Sequence, residues 1–87
     1  MNVWEEAILR CINSFKGEAD LQQIYRHIGS FIDLTQEHWK TTQWGGRSAY
    51  EHQIRSHVSN LCQAGDLIKI SRGRYQLTED GKRRIGA

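Results

Sequence analysis

Residues 46–78 read GRSAYEHQIRSHVSNLCQAGDLIKISRGRYQLT, and they divide into a capped helix, a glycine stop and a tight hairpin. Ser48, followed three positions on by Glu51, makes a capping-box pattern, and an exposed serine N-cap is worth about 1 kcal/mol. Tyr50, Ile54, Val58 and Leu61 then recur on one face with Cys62 beside them, which predicts a helix over 48–64. Gly65 is the stop. In LIKISRGRYQLT, residues 67–78, a two-residue turn at Arg72-Gly73 sets Ile70 opposite Tyr75 and Ile68 opposite Leu77. The apolar residues then share one face, and Lys69, Ser71, Arg74 and Gln76 share the other. Gly73 provides the positive φ of such a turn; a three-residue loop with a bulge would shift the pairing. In either register Arg72 and Arg74 come to an exposed tip.

The helix has an unusual second face. At about 100° per residue, the side away from the apolar stripe collects Ser48, His52, Arg55, Ser56, Ser59 and Gln63. A merely solvated helix mixes Lys and Glu. This face offers short and medium donors and acceptors instead, of the kind that reach base edges and phosphates. Charge is distributed to match. Residues 1–43 carry four basic and six acidic side chains, whereas residues 44–87 carry eight basic and four acidic. The positive field therefore falls on the helix and hairpin, where a polyanion would be met. The plain alternatives are a polar face that meets only water and arginines that keep a strand edge soluble.

The remainder reads as scaffold. Asn2 and Glu5 resemble a capping box, and Val3, Trp4, Ala7, Ile8, Cys11, Ile12 and Phe15 recur at helical spacing, predicting a helix over 2–16 that Gly17 ends. Asp20 with Gln23 opens a second helix over 20–31, whose buried stripe is Leu21, Ile24, Tyr25, Ile28 and Phe31. The connection from Asp33 to Gly46 holds a short turn at Thr35 with His38 and Trp39, and the Gly45-Gly46 pair frees the backbone before the third helix. Trp39 and Trp44 are read as a lid over the helix junction, with a nucleic-acid contact by Trp44 as the sharper alternative. Thr78 begins a short closing segment over 79–85.

At 87 residues the chain holds one domain with a modest core. No apolar run approaches the length of a membrane span, and the start MNVWEEAILR is acidic and amphipathic, unlike a signal peptide. Cys11 and Cys62 lie on apolar helical faces; buried free thiols in a cytoplasmic or nucleoid-associated protein are expected, with a disulfide as the alternative. Catalysis finds no constellation. His52 and His57 are five apart and form no metal-binding pair on one helical face, no H-E-x-x-H occurs, and His27, His38 and the cysteines lack zinc-site spacing. Gly45-Gly46 belongs to no phosphate-binding loop pattern. The expectation is no enzyme, no cofactor and no metal. His57, near the apolar stripe, reads as a satisfied packing histidine.

The run LTQEH, then GGR, then the helix end LCQAGDL, then SRGRYQLTEDGKRRI resembles the winged-helix domain at the N-terminus of Mrr-type restriction proteins, over about residues 4–85. The matches are Ala64-Gly65 with Leu67, Arg72-Gly73, Tyr75, Leu77-Thr78 and Gly81, a tail shared by many winged-helix regulators. The long connection ending in Gly45-Gly46-Arg47 is the more family-like trait. The resemblance implies DNA binding through the third helix and the wing, as a targeting module beside an effector. Inside the reading helix the tryptophan of Mrr-type sequences is absent, with Ser56 and His57 in that region, and nothing in these 87 residues resembles the nuclease domain of such proteins, so the resemblance does not imply cleavage.

The sequence therefore predicts a mainly α fold with a small β-hairpin: a winged helix-turn-helix of three core helices and a two- or three-stranded wing. The expected partner is double-stranded DNA, met by Ser48, His52, Arg55, Ser56 and Ser59 in the major groove, by Arg47 at the helix start, and by Lys69, Arg72 and Arg74 on flanking DNA. The rival reading is a docking or dimerisation unit, for a protein partner or a second copy, with Trp4, Trp39 or Trp44 as its hot spot. RNA binding is a third class, for which no stacking platform on a sheet is legible.

Overall fold

The computed structural model describes residues 2–32 and 49–87. Within them lie α1 (Val3–Ser14), β1 (Glu18–Asp20), α2 (Leu21–His27) with a 3-10 turn at Ile28–Ser30, α3 (Ala49–Ala64), β2 (Leu67–Ser71), β3 (Arg74–Leu77) and α4 (Glu79–Arg84). The chain is a small α+β domain, with four α-helices among the described residues and a three-stranded antiparallel sheet of order β1-β3-β2. The sheet is thus the three-stranded of the two wing sizes expected, with its third strand supplied by Glu18–Asp20. Arg47, Ser48, Trp39, Trp44 and the side chain of Tyr50 lie outside the described residues, as do the expected Ser48–Glu51 capping box and the turn at Thr35.

The core forms where α1 packs against α2, α3, β3 and α4. Ile8, Leu9 and Ile12 of α1, Ile24 and Ile28 of the second helical segment, Ile54, Val58 and Leu61 of α3, and Leu67 and Leu77 of the sheet are all buried. Two expectations for α1 need correction. Val3 is 66% exposed, because it sits in the first turn, beyond the packed elements. Leu9, outside the expected stripe, is fully buried, because a helix covered on several sides buries more than one face. The helix also begins without a reciprocal box. Asn2 Oδ1 accepts from the Trp4 N–H at 2.7 Å, while the Glu5 carboxylate reaches His57 of α3, Oε2 to Nδ1 at 3.0 Å. His57 is accordingly a half-buried packing histidine that ties α3 to α1.

At α2 the expected box is present in full. The Gln23 N–H donates to Asp20 Oδ1 at 2.8 Å, and the Asp20 N–H donates to Gln23 Oε1 at 2.9 Å. This helix is shorter than its apolar period, tightening into the 3-10 turn after His27. The strand β1 precedes it directly. Glu18, Ala19 and Asp20 face Gln76, Tyr75 and Arg74 of β3, and the Leu77 N–H donates to the Gly17 carbonyl at 2.8 Å.

The hairpin register also departs from expectation. Ser71 faces Arg74 across the Arg72-Gly73 turn, as a two-residue turn requires, but Ile70 bulges out of the ladder. Lys69 then faces Tyr75, Ile68 faces Gln76 and Leu67 faces Leu77. One extra residue on β2 moves the whole strand by one position, so the inward pair is Leu67 with Leu77. Ile68 and Ile70 are left 48% and 40% exposed.

Thr78 fixes the corner between α3 and the sheet. Gly65 ends α3 at φ +87°, a conformation that glycine adopts without a Cβ clash. The Thr78 hydroxyl donates to the Gly65 carbonyl at 2.6 Å and accepts from the Gly81 N–H at 3.1 Å, capping α4. The Thr78 N–H donates to the Asp66 carbonyl at 3.1 Å. Asp66, only 2% exposed, receives Arg84 Nη1 at 2.7 Å on its carboxylate. One threonine therefore closes the third helix and opens the fourth.

Candidate nucleic-acid interface

The polar side of α3 is presented as its periodicity requires. Because Ile54, Val58 and Leu61 point into the core, His52, Arg55, Ser56, Ser59 and Gln63 are left exposed. Arg47 and Ser48, expected at the start of this surface, lie outside the described residues. On the sheet, Lys69 and Arg72 are exposed.

Arg55 and Ser59, one turn apart on α3, meet Lys69 of β2 along an open groove of about 340 Å3, whose other walls are Leu21, Cys62 and Tyr75. The bulge explains Lys69. With Ile70 displaced, Lys69 stands directly opposite Tyr75 on the sheet face that carries Leu67 and Leu77. Without the bulge, the alternation would set Lys69 on the other face. Leu21 and Tyr75 were legible only as core residues, and no local signal places them at a groove wall, because that position depends on strand pairing between distant segments.

Arg74 behaves differently from the expectation of a free arginine at the tip. Its Nε lies 3.2 Å from Glu18 Oε1 and its Nη1 lies 3.7 Å from Asp20 Oδ2. Both carboxylates come from β1, which pairs with β3 and brings them alongside. Arg74 is spent within the fold, and its charge is locally balanced.

The other cations divide between paired and unpaired. Arg10 pairs with Glu6, Lys82 with Glu79, Arg83 with Asp80 and Arg84 with Asp66. Among the described residues, Lys16, Arg26, Arg55, Lys69 and Arg72 have no carboxylate partner. Three of these five belong to α3 and the hairpin, and among the described residues no carboxylate lines the groove that holds two of them. A guanidinium, an ammonium and a hydroxyl converging there can accept an anion through charge-assisted hydrogen bonds.

The two thiols are free, Cys11 buried and Cys62 half-buried in the groove wall. Burial pushes the Cys11 thiol up to about 11. Burial also raises Cys62, and the Lys69 ammonium opposes that rise. Among the described residues no cluster of three or more His, Cys, Asp or Glu side chains is placed to hold a metal ion, and no helix is long and apolar enough to cross a membrane. Comparison with known proteins finds no matching family model, no matching curated protein and no matching solved structure.

Proposed function

We propose that this chain is a winged-helix module that binds double-stranded DNA, with α3 in the major groove and the β2–β3 hairpin as the wing on flanking phosphates. Among the described residues the order helix, strand, helix, helix, hairpin suits that class, and α3, directly before the hairpin, is the natural reading element. The observation that carries the reading is the meeting of Arg55, Ser59 and Lys69 along one groove that no carboxylate lines among the described residues, whereas most of the other arginines are paired with carboxylates. Arg72 at the hairpin tip extends the unpaired charge outward. The resemblance to Mrr-type N-terminal domains supports a targeting role beside an effector, or in a small regulator.

The test is fluorescence anisotropy with a labelled duplex, comparing the parent with Arg55→Ala, Arg72→Ala and, as a control, Arg10→Ala. The first two weaken binding several-fold, and Arg10→Ala, already paired with Glu6, leaves it unchanged. Equal affinity of all four proteins refutes the assignment.

A second reading, a protein-docking module, draws on Ile68 and Ile70, exposed on β2 at the edge of the sheet. It gains ground if the parent fails to bind any duplex at low salt and Ile68→Thr with Ile70→Thr abolishes self-association or partner capture.

A further inference from the structure

We infer that the groove between α3 and the sheet is a binding site for a single nucleotide, its phosphate ester held by Arg55, Lys69 and Ser59 and its sugar or base covered by Tyr75 and Leu21. This deepens the DNA-binding reading and rests on it for the identity of the physiological ligand. The volume of about 340 Å3 falls at the small end of ligand sites, where a mononucleotide fits and a larger cofactor does not. The walls divide by chemistry. Arg55 presents a planar fork suited to two phosphate oxygens, Lys69 a compact point charge, and Ser59 a hydroxyl that donates to a third oxygen.

The two cations are available. Among the described residues neither has a carboxylate partner and no acidic side chain lines the groove. Lys69 lines it from the sheet side, directly opposite Tyr75 in the ladder. A bare inorganic anion would leave the apolar part of the site uncovered. Leu21, Cys62 and the Tyr75 ring offer apolar and aromatic surface beside the cations, and a ring of this kind stacks on a sugar or base regardless of sequence. The arrangement therefore fits a phosphate ester attached to a nucleoside. That ester comes either from a strand of DNA or from a free nucleoside monophosphate, and the experiment separates the two sources.

The isotopically labelled chain is titrated by NMR with thymidine 5′-monophosphate, with thymidine and with inorganic phosphate, while duplex binding is followed in parallel by anisotropy. Thymidine 5′-monophosphate should shift the amides of Arg55, Ser59, Cys62, Lys69 and Tyr75. Thymidine should leave them in place, and inorganic phosphate should bind more weakly than the nucleotide. Arg55→Gln and Lys69→Gln, both at exposed positions, should each weaken nucleotide binding about tenfold with the fold unchanged by circular dichroism. Displacement of the duplex by the nucleotide identifies the DNA backbone as a source. Nucleotide binding without any duplex binding identifies the free nucleotide and refutes the DNA reading alone. Duplex binding that persists while the nucleotide causes no shifts in the groove overturns this inference and leaves the DNA reading standing. Shifts spread equally over Arg72 and the 82–84 basic run also overturn it.

Discussion

Gly81→Ala is a substitution for which helix propensity and packing give opposite signs. Gly81 is the third residue of α4, in ordinary helical conformation, where alanine is intrinsically favoured by about 1 kcal/mol. A Cβ at this position, however, would overlap the Asp66 carbonyl oxygen and stand 3.1 Å from Leu77 Cδ2. The first of these neighbours is backbone and cannot rotate away. That carbonyl accepts the Thr78 N–H at 3.1 Å, and the Asp66 side chain is held by Arg84, so the corner between α3 and β2 must move as a unit. Overpacking of this kind costs about 1–3 kcal/mol, and weakening the Thr78–Asp66 hydrogen bond adds about 1 kcal/mol. After the propensity gain, the net expectation is a loss of about 1–3 kcal/mol. For a domain of this size that lowers Tm by roughly 5–20 °C. Urea unfolding followed by circular dichroism and by tryptophan fluorescence measures it, with coincident curves confirming a two-state transition. A Gly81→Ala variant as stable as the parent, or more so, would refute the close approach of α4 to the Asp66 corner.

Three further outcomes follow from the same contacts. Because burial holds the folded Cys11 pKa at about 11, above its ordinary value of 9.0, the neutral thiol stabilises the fold at low pH and that contribution is lost as pH rises from 9 to 11. The loss reaches about 3 kcal/mol at its largest, and urea unfolding across that window shows a steeper decline for the parent than for Cys11→Ala. Asp20→Ala removes the side-chain acceptor of the α2 capping box and lowers unfolding free energy by about 1 kcal/mol, read from the urea midpoint at constant slope. In duplex binding, Arg74→Ala leaves the salt slope nearly unchanged because Glu18 and Asp20 already balance that charge, whereas Arg72→Ala lowers it by about one unit.

What was legible in the sequence was local. The Asp20–Gln23 box, the Gly65 stop and the Arg72-Gly73 turn each depend on residues a few positions apart, and each forms where expected. The polar face of α3 followed from periodicity for the same reason. What escaped depends on distant partners. Glu18–Asp20 is too short to show a period, and becomes a strand only because β3 lies beside it. That pairing in turn decides the fate of Arg74, which no local pattern could reveal. The bulge at Ile70 is similar: the turn residues permit both registers, and burial of Leu67 against α3 and β3 selects the one that sets Lys69 opposite Tyr75. Glu5 fits a capping box by spacing, yet His57, on the facing helix, takes its carboxylate. The groove is thus built from Arg55, Ser59 and Cys62 of α3, legible by period, and from Leu21 of α2 and Lys69 and Tyr75 of the sheet, whose placement required the tertiary structure.

The most direct test of the account is a salt titration of binding to duplex DNA, with single-stranded DNA and RNA of equal length as comparators. Arg55, Lys69 and Arg72 lack carboxylate partners among the described residues, so the affinity for duplex should fall linearly with salt on logarithmic axes, with a slope of about −3 or steeper. Duplex should be preferred over both single strands. A flat salt response, or no duplex binding at low salt, would show that α3 and the hairpin do not form a DNA-binding surface.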